Sequence, residues 1–380
     1  MGYLVKILVA VISACLYLVF HNDLGTEDLS AYRLPENTLY EDTPFFEQHW
    51  VSFSETAETH SASIAMLNSE IPAAVWYGGT EEGHSDVALF LSIFDGAWSE
   101  PKVIADRAST EKGLSRYIRK IGNPTLHVWP DGNIGVFYVS VSIGGWGGSS
   151  VNYIESSDTG VTWSKPRRLV TSPFLNISTL VRTNALEREN GHIELPIYHE
   201  FVGKFSESLL VSREIDVIDK RRISWGLDSL QPAIMPLDET SALALLRYSG
   251  DPPGRIWSSL TSNSGRNWTT PELTPLPNPN AAIALLNTGD GNLLLAFNDA
   301  VDGRNRLSLA TRSANDGTWK RRKVVETETN TIDVEYEFSY PSLTKGKGDN
   351  IHLVYTWNQK RIKHIQFNLA WLNKAKHSTL

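Results

Sequence analysis

The segments Ser156-Ser157-Asp158-Thr159-Gly160-Val161-Thr162-Trp163 and Thr261-Ser262-Asn263-Ser264-Gly265-Arg266-Asn267-Trp268 share one pattern. A hydroxyl residue is followed by Asp or Asn two places on, Gly four places on and Trp seven places on. Ser164-Lys165-Pro166 and Thr269-Thr270-Pro271 come next. A shortened copy is Ser313-Ala314-Asn315-Asp316-Gly317-Thr318-Trp319. A looser one, Ser92-Ile93-Phe94-Asp95-Gly96-Ala97-Trp98, precedes Ser99-Glu100-Pro101. The pattern reads as a hairpin turn: the Asp or Asn side chain caps the turn backbone, Gly takes positive φ, and Trp packs back on the hairpin base. Copies that each follow an alternating apolar strand mark a repeat protein, in which every unit buries its face on the next.

The tryptophans set the period. Trp98 and Trp163 are 65 residues apart, and Trp268 and Trp319 are 51 apart. The 105 residues between Trp163 and Trp268 leave room for two units, with one degenerate turn near 212–219. Opening strands recur near 61–67, 124–129, 180–186, 232–236, 281–286 and 341–344. Turn pairs such as Asp131-Gly132, Asn190-Gly191 and Asp290-Gly291 separate strands inside the units. Six units of four short strands predict an all-β fold, a six-bladed β-propeller. A β-sandwich with coincidental turn similarity is the alternative.

Composition agrees with a folded, aromatic-rich β protein. The 380 residues include 12 Trp, 13 Tyr and 13 Phe, too much apolar mass for a disordered chain. The net charge of −8 argues against a general nucleic-acid binder. One cysteine excludes an internal disulfide and a cysteine-ligated metal site. The 10 His are scattered without a metal-ligand spacing, so neither a metal nor a cofactor is expected. Gly144-Gly145-Trp146-Gly147-Gly148 lacks the Lys-Ser/Thr of a phosphate loop and reads as a rim loop offering Trp146 to a sugar face.

Lys6 precedes an apolar run over 7–20, short for a spanning helix and suited to a signal-peptide core. The expected organisation is a signal peptide or membrane anchor over 1–22, a polar lead-in over 23–50, the propeller over 51–372 and a tail over 373–380. Ile12-Ser13-Ala14-Cys15 also resembles a lipoprotein signal box. Export is expected in each case, to the periplasm, the outer face of a membrane or the medium, with membrane attachment through the N-terminal segment as one form.

The turns resemble the Asp-boxes of the sialidase (neuraminidase) superfamily. Several strings are similar to its bacterial BNR-repeat, predicted-neuraminidase branch: His60-Ser61-Ala62-Ser63, Gly78-Gly79-Thr80-Glu81-Glu82-Gly83 with Asp86, Gly122-Asn123-Pro124, Leu230-Gln231-Pro232, Leu245-Leu246-Arg247, and Phe338-Ser339-Tyr340-Pro341. The resemblance covers roughly residues 55–370. It implies a propeller of sialidase type and hydrolysis of a terminal acidic sugar, sialic acid or a relative, from a glycoconjugate. Asp-boxes also occur in non-enzymes, so the strings at strand starts carry the functional implication.

Such a hydrolase must hold a carboxylate, protonate a leaving group and stabilise an oxocarbenium-like centre. Arginine suits the first task through bidentate pairing. The family implies three arginines, a Tyr–Glu nucleophile pair and an Asp acid/base. Carried over to this chain, Tyr340 is the nucleophile, Glu200 its charge partner and Asp86 the acid/base. His60 becomes a candidate proton acceptor. Arg247, Arg304 and Arg361 are candidate carboxylate clamps, and Glu82, Asn123, Gln231 and Asn298 candidate substrate-binding residues. Each has a plain structural alternative as an ion pair, a turn cap or a packed inner-strand side chain.

One departure stands out. The family opens its first blade with an aromatic-Arg-Ile-Pro string, and Tyr32-Arg33-Leu34-Pro35 looks like it but lies in the lead-in. The matching position by blade order, His60-Ser61-Ala62-Ser63, has no arginine, so Arg33 reads as a coincidence. Two other functions stay open. One is a uronic-acid polysaccharide lyase using His60, Tyr340 and Arg247; the other is a non-catalytic glycan-binding propeller.

Overall fold

Backbone pairing sorts the described residues of the computed structural model (30–35, 40–53, 55–172, 176–313, 316–328 and 336–374) into six antiparallel sheets. Five sheets take their strands consecutively, over 58–106, 120–168, 180–222, 229–277 and 284–327. The sixth takes three strands over 338–367 and its outermost strand, Phe46–Trp50, from far up the chain. That strand runs antiparallel to Arg361–Phe367 from Phe46↔Phe367 to Trp50↔Lys363 and closes the ring. The chain is therefore the expected six-bladed propeller. The segment 46–50 belongs to it rather than to a lead-in, because its pairing partner lies over 300 residues away and leaves no local signal.

The lead-in is also partly docked. Tyr32 is buried, bridges to Arg188 of blade 3, and has the Arg188 guanidinium 3.9 Å above its ring. Arg33 hydrogen-bonds Glu187 at the surface of the same blade, which confirms that it has no part in the axial pocket. The apolar run 7–20, Cys15 and the tail over 375–380 lie outside the described residues. No helix among the described residues is long and apolar enough to cross a membrane.

The repeated turns join the third and fourth strands of their blades. Asp158 accepts from the Val161 and Thr162 amides and the Thr162 hydroxyl, while Gly160, at φ 80°, donates to Ser156 Oγ. A Cβ on Gly160 would lie 2.4 Å from Leu91 of the neighbouring blade, so glycine is needed for space as well as for φ. Asn263, Gly265 and Thr261 repeat the arrangement in blade 4. The degenerate turn falls where expected, between Phe205–Val211 and Val217–Arg222 of blade 3.

Each blade interface holds one apolar cluster. Val75, Tyr77 and Leu89 of blade 1 meet Ile121, Val136 and Tyr138 of blade 2. Across the closing seam, Val51, Val354 and Ile362 meet Ala62, Trp76 and Trp98. Fully burying such side chains stabilises by about 1.5–3 kcal/mol each, so every blade depends on both neighbours. Two short helices, Arg107–Leu114 and Leu369–Asn373, fill the edges. The first is capped reciprocally by Asp106 and Ser109.

Asn298, expected to bind sugar hydroxyls, is instead fully buried between blades 5 and 6. Its Nδ2 donates to the carbonyls of Arg304 (3.2 Å), Arg306 (3.1 Å) and Phe338 (2.8 Å). An amide on a strand near a turn cannot be told from a ligand-binding amide in sequence. Asn298→Ala leaves buried carbonyls short of a donor and is expected to cost about 1–3 kcal/mol. Urea unfolding checks this, and an unchanged midpoint would show that the staple contributes nothing.

Candidate active site

At one end of the axis each blade has a residue with positive φ in the first few positions of its innermost strand or just before it: Ser61 (57°), Asn123 (47°), Ser178 (60°), Gln231 (47°), Asn280 (54°) and Tyr340 (52°). None is glycine, and left-handed backbone costs an L-residue about 1–2 kcal/mol. In four blades the strand register slips here, between His60 and Ser63, Gly122 and Thr125, Leu230 and Ala233, and Ser339 and Ser342. Such bulges re-aim side chains, and strain of this kind is maintained where surrounding structure imposes it. The six strand starts read from sequence lie within two residues of this ring.

Tyr340 is where the blades converge. The His60 ring of blade 1 meets it edge-on at 4.4 Å between centroids. The guanidinium of Arg182 from blade 3 lies 5.2 Å from its ring centre, and that of Arg304 from blade 5 lies 5.6 Å away. Arg182 Nη2 donates to the carbonyls of Tyr340 (2.7 Å) and Pro341 (3.1 Å), clasping the left-handed backbone from across the axis.

A polar chain forms the wall. The Tyr198 hydroxyl accepts from Asn123 (3.2 Å) and Gln231 (3.3 Å). Arg247 donates from Nη1 to Gln231 Oε1 (2.8 Å) and from Nε to Asn280 Oδ1 (2.9 Å). Arg304 donates to Glu337 Oε1 (3.0 Å) and to the Asn280 carbonyl (3.0 Å). Gln359 holds the other Glu337 oxygen at 2.7 Å. A cleft of about 580 Å³ opens beside Arg304 and Glu337, walled by Trp357 and Lys360.

The electrostatics follow from burial and these arginines. Burial pushes the His60 imidazole down to about 3; the field of Glu337 opposes this, and Arg304, Arg182 and Arg247 add to it. His60 is therefore neutral, and Glu82 Oε2, 3.8 Å from its Nε2, is a neighbour rather than an ion-pair partner. Tyr77, beside His60, is raised well above the usual phenol range by burial and by the negative charge of Glu82. Burial raises the Glu200 carboxyl, with Glu82 assisting and Arg247, Lys204 and Lys120 opposing. Burial alone would lower Arg304, but Tyr340 and Glu337 outweigh it and the guanidinium is held more firmly charged.

The structure thus brings together Tyr340, His60, Arg247, Arg304, Glu82, Asn123, Gln231 and, at one side, Glu200. It separates others. Asp86 caps its own exposed loop, accepting from the Thr80 amide and hydroxyl and lying 2.6 Å from His84 Nδ1. These bonds hold its carboxyl down at about 2, the wrong direction for a proton donor at neutral pH. Arg361 lies over Trp50, on the third strand of blade 6. Glu200 feels the charges of Arg247, Lys204, Glu82 and Lys120, and the ring contacts to Tyr340 among the described residues come from His60, Arg182 and Arg304 and not from a carboxylate. Trp146 has one face covered by Lys120 Nζ at 3.8 Å. Arg182, Tyr77, Asn280 and Glu337 are absent from the sequence expectations. Only Asn280-Ala281 and Glu337, beside the strand starts, carried a positional signal; Arg182 directly follows the two-residue strand Leu180–Val181 and carried none.

The BNR repeat-like domain family matches residues 73–353. The fold is similar to that of the Hadza microbial sialidase Hz136, with a TM-score of 0.69 and 14% identity over 86% of this chain and 69% of that one. It is similar to a protein of unknown function from Dyadobacter fermentans, with a TM-score of 0.67 and 14% identity over 85% of this chain and 98% of that one. It is also similar to the intramolecular trans-sialidase from Ruminococcus gnavus, with a TM-score of 0.66 and 14% identity over 85% of this chain and 96% of that one. Identities this low establish the shared fold alone. No curated protein matches the sequence.

His60 yields a pH prediction. Its folded value of about 3 lies below the 6.5 of a free imidazole. Between these pH values the unfolded chain binds a proton that the folded chain does not, so stability falls as pH drops from 6.5 toward 3. His60→Gln should flatten that slope by up to one proton, about 1.4 kcal/mol per pH unit. Urea unfolding between pH 4 and 7 reads it, and identical slopes would mean that His60 titrates normally in the fold.

Proposed function

The chain belongs to the BNR repeat-like family, and from that premise we propose that it is a sialidase-like exo-glycosidase, hydrolysing a terminal acidic sugar from a glycoconjugate. The observation that carries this reading is Tyr340, held between the guanidinium groups of Arg182 and Arg304 with Arg247 on the adjoining wall. Arg247 and Arg304 bind the sugar carboxylate, which fixes its orientation and offsets its charge. Tyr340, which brings no charge of its own against that carboxylate, attacks the anomeric carbon as the glycosidic bond breaks and the aglycone leaves. Its phenolic proton passes to the neutral His60 beside it. Water then cleaves the tyrosyl glycoside, releasing the free sugar and returning the proton to Tyr340. Negative charge building on its oxygen is stabilised by the flanking arginines, preorganised by their bonds to Asn280, Glu337 and the strand carbonyls.

Glu200 replaces Asp86 as the proton donor. A half-buried carboxyl with a raised pKa keeps its proton nearer to neutral pH, as protonation of a leaving oxygen requires. Asn123 and Gln231, already bridged by the Tyr198 hydroxyl, present amides to sugar hydroxyls. Export through the apolar run 7–20 would bring the enzyme to glycans outside the cytoplasm.

A second reading has one observation in its favour. His60 is neutral and touches Tyr340, and no carboxylate among the described residues pairs with that tyrosine, an arrangement that suits proton transfer in a uronate lyase with Arg247 neutralising the carboxylate. The lyase makes an unsaturated product that absorbs in the ultraviolet, whereas the hydrolase releases a free acidic sugar.

Incubation with sialyl and related nonulosonic-acid conjugates should release the free sugar, and no release from any of them counts against the hydrolase. Glu200→Gln should lower kcat by about 10²–10⁴-fold, and Tyr340→Phe by at least as much, with unfolding midpoints retained. Arg247→Met should raise KM roughly 10–100-fold, the effect of losing a charge-assisted hydrogen bond. Glycan binding without turnover, indifferent to Tyr340→Phe, would make the propeller a binding module.

A further inference from the structure

Below the ring of left-handed residues the axial channel forms a second compartment. Residues 183–186, 233–235, 283–286 and 341–344, in or beside the innermost strands of blades 3 to 6, wall a cavity of about 170 Å³ with Arg182 at its border. Among these lining residues Arg182 is the only ionisable one; no Asp, Glu, Lys or His faces the space. Thr183, Asn184, Ser342 and Thr344 are the polar neighbours, all uncharged, and Ile234, Ile283, Leu285 and Leu343 supply apolar wall.

The state of Arg182 is unusual. It is 2% exposed, and its Nη2 is used by the Tyr340 and Pro341 carbonyls while its Nε is buried without a partner. No carboxylate pairs with it among the described residues. Burial lowers its pKa to about 10, so it carries its charge at neutral pH. A buried cation without a counter-charge is costly, and buried charges are ordinarily paired. The surrounding strands offer further donors. The innermost strands of blades 3 to 6 pair on one side only, so their axial edges carry main-chain N–H groups that no sheet uses.

We propose that this cavity binds one small monovalent inorganic anion, chloride in ordinary solution, held by Arg182 and the axial strand amides. One guanidinium offsets one negative charge, so a multivalent oxyanion would leave charge buried, and the aliphatic walls offer it too few donors. A halide accepts a few N–H bonds with aliphatic contacts around the remainder. The anion braces Arg182 from below while the strand carbonyls hold it from above, so its binding supports the backbone of Tyr340. The site is independent of whether the pocket above hydrolyses, eliminates or only binds a glycan.

Crystals of the wild-type protein in sodium bromide should show an anomalous peak in the channel beside Arg182. In solution at constant ionic strength, the melting temperature should rise saturably with sodium chloride and not with sodium gluconate, as expected for a ligand that binds only the folded state. The excess ³⁵Cl line width should be competed by bromide and lost in Arg182→Met. Equal melting temperatures in chloride and gluconate, or a channel without a bromide peak, would overturn the proposal. The wild-type measurements decide it even if Arg182→Met fails to fold.

Discussion

Closure of the ring by one five-residue strand is the constraint on which the remainder rests. Phe46–Trp50 completes blade 6, and Val51 just after it enters the apolar cluster shared with blade 1. Without that strand the Arg361–Phe367 edge is open to unwanted pairing, and the seam loses part of its core. The seam also runs through the pocket. Tyr340 lies on blade 6 and His60 on blade 1, so their contact at 4.4 Å exists only in the closed ring. A propeller has no other way to bring the ends of a long chain into one site.

Strain at the top of the innermost strands converts that ring into a pocket. Six left-handed residues, one per blade, direct the strand starts toward the axis, and hydrogen bonds between different blades fix them there. Asn123, Gln231 and Asn280 link to one another through Tyr198 and Arg247, so the wall is a single network from blade 2 to blade 5. Arg182 reaches from blade 3 to the backbone of blade 6. Hydrogen-bonded networks of this kind rigidify a site, and they place the arginines before any ligand arrives.

Burial then sorts the titratable groups. The same dry environment keeps His60 neutral, raises the Glu200 carboxyl and leaves the arginines charged because they are bonded to carbonyls, amides and Glu337. Asp86, in an exposed loop with hydroxyl and amide donors around it, moves the opposite way. Two carboxylates that look equivalent as candidates in the sequence are thus separated by solvent access and by the donors within reach.

The propeller was legible because its evidence is periodic. Asp158, Gly160 and Trp163 recur as Asn263, Gly265 and Trp268, and a turn imposes such residue types locally whatever the rest of the chain does. The six strand starts were legible for the same reason, and with them Tyr340, His60, Asn123 and Gln231. The strand 46–50 was not, since five residues with a partner at the far end of the chain show no period. Arg182 was not, because a lone arginine just past a short apolar strand carries no mark of what stands across the axis. Asn298, Arg361 and Asp86 matched the pattern by order along the chain and differ by direction in space. Local backbone chemistry and repeat length by themselves determined the fold. Which side chains face the axis, and which of them lose their water there, was decided only when six blades closed around one line, because burial and charge are properties of the assembled surroundings.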